Sequence, residues 1–202
     1  MKKSFTLLEV TIVIVVIGIL AAVILPRLQT NKLLTAANQI VDHIRYTQHL
    51  AMIDDRFDPR VNYWYKSRWL IRFHNNSAGE WCYLIGSNRN YQNNIDKSET
   101  PLDPLTKKHL YSRSDCSQAE VPALLLTKEY GIYNITATGD CWSNNRHIAF
   151  DEIGRPYKST FGSNKYDILK SDCNITFQSN DGNFTVTIAK ETGFTYISSF
   201  NG

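Results

Sequence analysis

Glu9 is a carboxylate in a stretch that holds almost no other charge. Lys2 and Lys3 precede it, Arg27 is the next charge, and the run from Val10 to Leu25 is apolar apart from Thr11 and Gly18. A carboxylate among apolar side chains needs a cation and hydrogen-bond donors. Phe5 lies four residues earlier, so on a helix it shares a face with Glu9. The chemistry on offer at Glu9 is therefore an ion pair with a cation that the apolar run itself does not hold.

The second reactive set is Cys82, Cys116, Cys141 and Cys173. No two form a CxxC pair, which argues against a zinc knuckle or a thioredoxin-like site. An even count in an oxidising space points to two bridges, and four cysteines allow three pairings. Cys82–Cys116 and Cys141–Cys173 are favoured, because each closes a segment rich in turns and polar residues. Free cysteines buried in a core are the competing reading.

A third set is basic and aromatic. Tyr63, Trp64, Tyr65 and Trp69 lie near Lys66, Arg68 and Arg72, and a second basic group is Lys107, Lys108 and Arg113. Such residues can make a stacking surface for nucleic acid, with Arg68, Arg72, Lys107 and Lys108 as candidate DNA contacts. The net charge argues the other way. It is +3 for the whole chain and +1 once Lys2 and Lys3 leave, which is too little for a general attraction to DNA. Inward aromatics on a core strand with outward cations is the simpler account.

An enzyme finds little support. His43, His49, His74, His109 and His147 are scattered, and the chain has no HExxH, no GxSxG and no phosphate-binding glycine loop. Asp96, Asp103, Asp115 and Asp140 are too spread to name a metal site. No catalytic residue, metal or cofactor is expected.

These residues need a scaffold. One helix is expected over residues 5–55, with a transmembrane part at 5–25 and a kink at Pro26. Beyond Leu28, Leu33, Ala37, Ile40, Val41, Ile44, Gln48 and Ala51 recur at three- and four-residue spacing, and Asn31, Lys32, Gln39, Asp42 and Arg45 fill the other side. Residues 56–202 read as a β-rich head. Strands are expected at 63–65, 69–73, 81–85, 123–126, 133–138, 147–150, 174–177, 184–188 and 194–197. Turns are expected at 75–79 and 180–183, and a long irregular connection at 88–117. The fold class is α+β, a long and partly transmembrane N-terminal helix packed against a mostly antiparallel sheet. Lys2 and Lys3 place the N-terminus in the cytoplasm and the head in the periplasm. A secretory signal peptide fits the basic start, but the end of the run, Val23 to Arg27, lacks a small-residue cleavage pair. A plain anchor leaves Glu9 without a role.

Ser4-Phe5-Thr6-Leu7-Leu8-Glu9, with Pro26 beyond the apolar run, resembles the N-terminus of the type IV pilin-like and pseudopilin superfamily. Ser4 stands where that family usually has Gly. The segment from Ile148 to Pro156 and the Thr192-Gly193 pair are similar to the secretion pseudopilin H and FimT/FimU minor pilin branch. The resemblance implies that residues 1–4 are a leader, cut by prepilin peptidase with methylation of Phe5. It implies that Glu9 sets subunit register, by meeting the charged Phe5 amine of a neighbouring helix offset along its axis. It also implies a non-catalytic minor pilin or pseudopilin that primes or caps a type II secretion pseudopilus or a type IV pilus. Its partners would be other minor and major pilins or pseudopilins and the inner-membrane assembly platform, with DNA or a secreted protein as further candidates. The alternative it carries is a DNA-binding minor pilin acting in DNA uptake.

Overall fold

The computed structural model describes residues 7–92, 94–142, 146–158 and 166–202, and for residues 21–31 it gives the backbone course alone. The long apolar run and the amphipathic stretch behind it form one α-helix, α1 (Leu7–Ile53). Its second half buries Leu33, Ala36, Ala37, Ile40, Val41, Ile44 and Ala51, one stripe at helical spacing. Ser4 and Phe5 lie outside the described residues, as does the side chain of Pro26; the backbone stays helical through position 26.

The transmembrane assignment at 5–25 is corrected. Among the described residues no helix is long and apolar enough to cross a membrane. The fully described apolar part of α1 runs over 14 residues, Leu7 to Leu20. At about 1.5 Å per residue that is about 21 Å, against a hydrocarbon core of about 30 Å. The single-pass inner-membrane topology with a periplasmic head rested on that span and falls with it.

The head is also more divided than a single sheet. Among the described residues the fold is α+β with two antiparallel sheets. The strands are β1 (Trp69–Asn75), β2 (Trp81–Ser87), β3 (Ile132–Gly139), β4 (His147–Phe150), β5 (Pro156–Tyr157), β6 (Cys173–Ser179), β7 (Gly182–Ile188) and β8 (Thr195–Asn201). One sheet has the order β2-β1-β4-β5 and the other β3-β6-β7-β8. Ile71, Phe73, Tyr83, Ile85 and Ile148 of the first join Ile175, Phe177, Phe184 and Val186 of the second in the core that α1 closes. Leu70, Leu84 and Ala149, on the opposite face of the first sheet, form a smaller core with Ile95 and Tyr157.

Two expected strands are short helices instead. Tyr63–Tyr65 falls at a 3-10 turn, Trp64–Ser67. There Lys66 N–H bonds the Tyr63 carbonyl at 2.9 Å and the Ser67 hydroxyl bonds the Trp64 carbonyl at 2.6 Å. These local bonds compete with a ladder. Residues 123–126 run from a 3-10 turn started by Pro122 (Pro122–Leu124) into a five-residue helix, α2 (Leu126–Tyr130), capped by Gly131 at φ +68°.

The β4–β5 turn is organised by Asp151, which is buried. Its carboxylate accepts from the backbone N–H of Ile153 and Arg155, from Arg155 Nε and from the Tyr157 hydroxyl. Gly154 in this turn and Gly193 before β8 have φ of +84° and +67°. Gln48 reaches between them and donates to the carbonyls of Gly154 and Thr192 at 2.8 and 2.7 Å. A Cβ on Gly193 would sit 2.5 Å from the Gly154 oxygen and 2.6 Å from Gln48 Nε2. Gly193→Ala combines left-handed strain with overpacking, and is expected to cost about 3 kcal/mol. Denaturant unfolding checks this, and an unchanged midpoint would contradict the close approach.

Candidate functional site

The two halves of α1 differ in what covers them. From Leu33 onward the helix is seated on the head by packing and by side-chain hydrogen bonds. Gln39 Nε2 donates to the Tyr83 hydroxyl at 2.9 Å and to the Ala123 carbonyl at 3.0 Å, and Tyr130 donates to Gln39 Oε1 at 2.7 Å. His43 Nδ1 lies 2.8 Å from the Tyr83 hydroxyl. Arg45 donates through Nε and Nη2 to the Thr195 carbonyl at the start of β8. Burial pushes the Tyr83 phenol far above its ordinary range, so it stays neutral and serves as a fixed junction. Burial likewise lowers His43, against the opposing pull of Asp103 and Asp42.

From Leu7 to Leu20 the helix has no such cover among the described residues. Every residue from Leu7 to Leu20 is exposed. Leu7 is 87 % and Ile14 64 % exposed. Glu9 is in this exposed stretch, on the first turn of the helix. Gln39, half-buried, and Arg45, exposed, flank the apolar stripe, and both side chains are long enough to reach around the helix and bond the head.

The four cysteines are paired as Cys82–Cys116 and Cys141–Cys173. The first bridge ties β2 to the connection that follows it. The second joins the residues beyond β3 to the start of β6.

The four candidate DNA contacts do not share one environment. Arg68 is 5 % exposed. Its guanidinium lies 3.8 Å from the Tyr157 ring centroid and 4.8 Å from that of Trp64, and burial lowers its pKa. Arg72 is half-buried on β1 and is also lowered by burial. Lys107 and Lys108 are exposed, on a loop where Lys107 takes φ +58°. The aromatics beside them have ring partners: Tyr63 packs on Tyr91 and Trp64 on Phe57. Among the described residues no group of three or more His, Cys, Asp or Glu side chains could hold a metal ion.

His74, on β1, has its pKa lowered to about 4 by burial and by Arg72 and Arg146. The unfolded chain binds its proton near pH 6.5, so protonation favours unfolding. The His74 contribution is full above pH 6.5 and is lost as pH falls toward 4, by on the order of 3 kcal/mol. Unfolding curves at several pH values check this. A His74→Gln chain should show a flatter slope between pH 6.5 and 5, above the range where carboxylates titrate. An unchanged slope would exclude His74 as the source.

Comparison with protein-family models, with curated proteins and with solved structures returned no match. The functional reading therefore rests on this chain's own residues, on their geometry and on the resemblance that the N-terminal segment carries.

Proposed function

We propose that this chain is a non-catalytic filament subunit of the minor pilin or pseudopilin kind. The observation that carries the reading is the contrast within α1: a seated second half, and a stretch from Leu7 to Leu20 that is exposed throughout and apolar apart from Glu9, Thr11 and Gly18. A helix apolar all round is stable only when something covers it. Each square ångström removed from water contributes about 25 cal/mol. The cover proposed is the same helix of neighbouring subunits, side by side in a bundle. Glu9 then sets the axial register by pairing with the Phe5 amine of the next subunit, and prepilin peptidase creates that amine by cutting after Ser4. The head is displayed at the filament surface or end, where it meets other minor and major subunits and primes or caps a type IV pilus or a type II secretion pseudopilus.

The test is processing. Co-expression with a prepilin peptidase is expected to yield a chain that begins at N-methylated Phe5, and Ser4→Gly is expected to speed the cut. Intact-mass measurement showing Met1 to Ser4 retained would count against the assignment.

A further inference from the structure

Tyr130, Gln39, Tyr83 and His43 form one hydrogen-bond chain that joins α1 to β2 and α2, and the position of each proton in it can be deduced. Gln39 Nε2 lies 3.0 Å from the Ala123 carbonyl and 2.9 Å from the Tyr83 hydroxyl, and Tyr130 donates to Gln39 Oε1 at 2.7 Å. A carbonyl only accepts, so the Ala123 oxygen fixes the amide with its NH2 toward Ala123 and Tyr83. The Tyr83 oxygen therefore accepts from Gln39, and its own hydrogen must go elsewhere. Its other hydrogen-bond partner among the described residues is His43 Nδ1, at 2.8 Å. Tyr83 is fully buried, so bulk water offers no substitute. The order of donation is thus Tyr130 to Gln39, Gln39 to Tyr83, and Tyr83 to His43. His43 Nδ1 is an acceptor, and the proton of the neutral ring sits on Nε2.

A second proton on His43 breaks this order. Nδ1 becomes a donor and points at the hydrogen of the Tyr83 hydroxyl. Tyr83 then accepts from both Gln39 and His43, and its own buried hydrogen has no acceptor among the described residues. Turning the Gln39 amide over does not repair the chain, because it sets Oε1 against the Ala123 carbonyl and leaves Tyr130 facing a donor. Each of these bonds ties α1 to the head along one flank of the helix. The other flank is held by Arg45 and Gln48 on the carbonyls of Thr195, Gly154 and Thr192, acceptors that do not titrate. The charged groups that act on the ring are Asp103, on the connection after β2, and Asp42, on α1 itself. From β2 and α2 the chain receives the phenols of Tyr83 and Tyr130. Burial holds His43 below its ordinary pKa and outweighs the attraction of Asp103 and Asp42 for an imidazolium. We propose that His43 is a proton-sensitive latch: near neutral pH it holds α1 on β2 and α2, and in acid this flank of the helix opens while the β8 flank stays seated. The latch does not depend on filament assembly.

A histidine whose pKa is lowered on folding lends stability that is full above about pH 6.5 and is lost as pH falls below it. The experiment is hydrogen exchange by mass spectrometry on the full-length protein in a neutral detergent, at about pH 7.5 and about pH 5.5, with each rate divided by the intrinsic rate at that pH. Amides of residues 36–47 are expected to lose protection about ten-fold in acid, as one stranded hydrogen bond would cause, while those of β6 and β7 keep theirs. His43→Gln keeps an acceptor for Tyr83 and does not titrate, so its α1 is expected to be equally protected at both pH values. Nitrogen-15 NMR of the wild-type imidazole needs no variant and decides the matter if His43→Gln fails to fold. It is expected to show the neutral ring protonated on Nε2 and titrating below about pH 6.5. The latch is overturned if wild-type α1 keeps its protection in acid, if β6 and β7 lose theirs equally, or if His43→Gln loses as much as wild type. It is equally overturned if the neutral ring carries its proton on Nδ1.

Discussion

Replacing Cys82 and Cys116 by Ser is expected to destabilise the head by about 3–4 kcal/mol, and replacing Cys141 and Cys173 by a similar amount. The two bridges close 34 and 32 residues of chain, and the loss of loop-closure entropy in the unfolded state scales with the logarithm of that length. A domain of this size is held by about 5–15 kcal/mol in all, so removing both bridges is expected to leave much of the population unfolded at 37 °C. The two losses differ in place. Without Cys82–Cys116, the connection over the first sheet is held by its other contacts, such as the Leu110 carbonyl bonded to Ile85 N–H at 3.1 Å. Without Cys141–Cys173, β3 keeps its ladder to β6, from Ile132 to Gly139, but the chain beyond β3 is released. Denaturant unfolding with and without reductant measures this, and a midpoint unmoved by reduction would contradict it.

Glu9→Val is expected to leave the head fold unchanged and to lower incorporation into filaments at least ten-fold. Residues Leu7 to Leu20 make no part of the buried core, so a change at Glu9 has no route to head stability. In the proposed bundle the substitution strands the Phe5 amine of the neighbouring subunit among apolar side chains. Truncating one member of a buried, hydrogen-bonded charge pair costs about 2–5 kcal/mol, and a ten-fold loss needs only about 1.4 kcal/mol. Valine restores the apolar character of the surface, so any loss of assembly reports on the charge and not on packing.

Much of this architecture was legible in periodicity. The stripe from Leu33 to Ala51 repeats every three or four residues, and it is the face that packs on the head. Trp69–Phe73, Trp81–Ile85 and Phe184–Ile188 have β-branched and aromatic runs bounded by turn residues, and each lies within a strand. What was not legible has physical causes. Tyr63-Trp64-Tyr65 carries strand-like composition, but the Ser67 hydroxyl and backbone turns satisfy it locally. Residues 123–126 follow Pro122, which fixes a helical φ and starts a turn. β5 is two residues long, too short for any pattern. Whether eight strands form one sheet or two depends on pairings far apart in sequence, such as β1 with β4.

The site was readable in part. Glu9 stands out as a lone acid in an apolar run, and the cysteine count suggested two bridges. Arg68 looked like an outward cation, because nothing in its local sequence reveals that Tyr157, 89 residues later by number, supplies a ring for it to stack on. Gly154 and Gly193 read as turn glycines. Their second role, making room for Gln48, exists only once the two turns meet at the helix. His74 gave no signal at all, since its neutrality comes from burial and from two arginines, one of them on another segment. The length of the apolar run misled most: it suggested a membrane span, whereas the described residues support an exposed apolar helix end.

The most direct measurement is the amount of this subunit in filaments grown from its partner pilins or pseudopilins, with wild-type and Glu9→Val chains compared by quantitative mass spectrometry of the isolated filament. Wild-type chains are predicted to be incorporated, and Glu9→Val chains to be depleted at least ten-fold while their heads unfold at the same denaturant concentration. Wild-type chains absent from the filament, or Glu9→Val chains incorporated as fully as wild type, would contradict the claim that the exposed half of α1 is a register-setting surface between subunits.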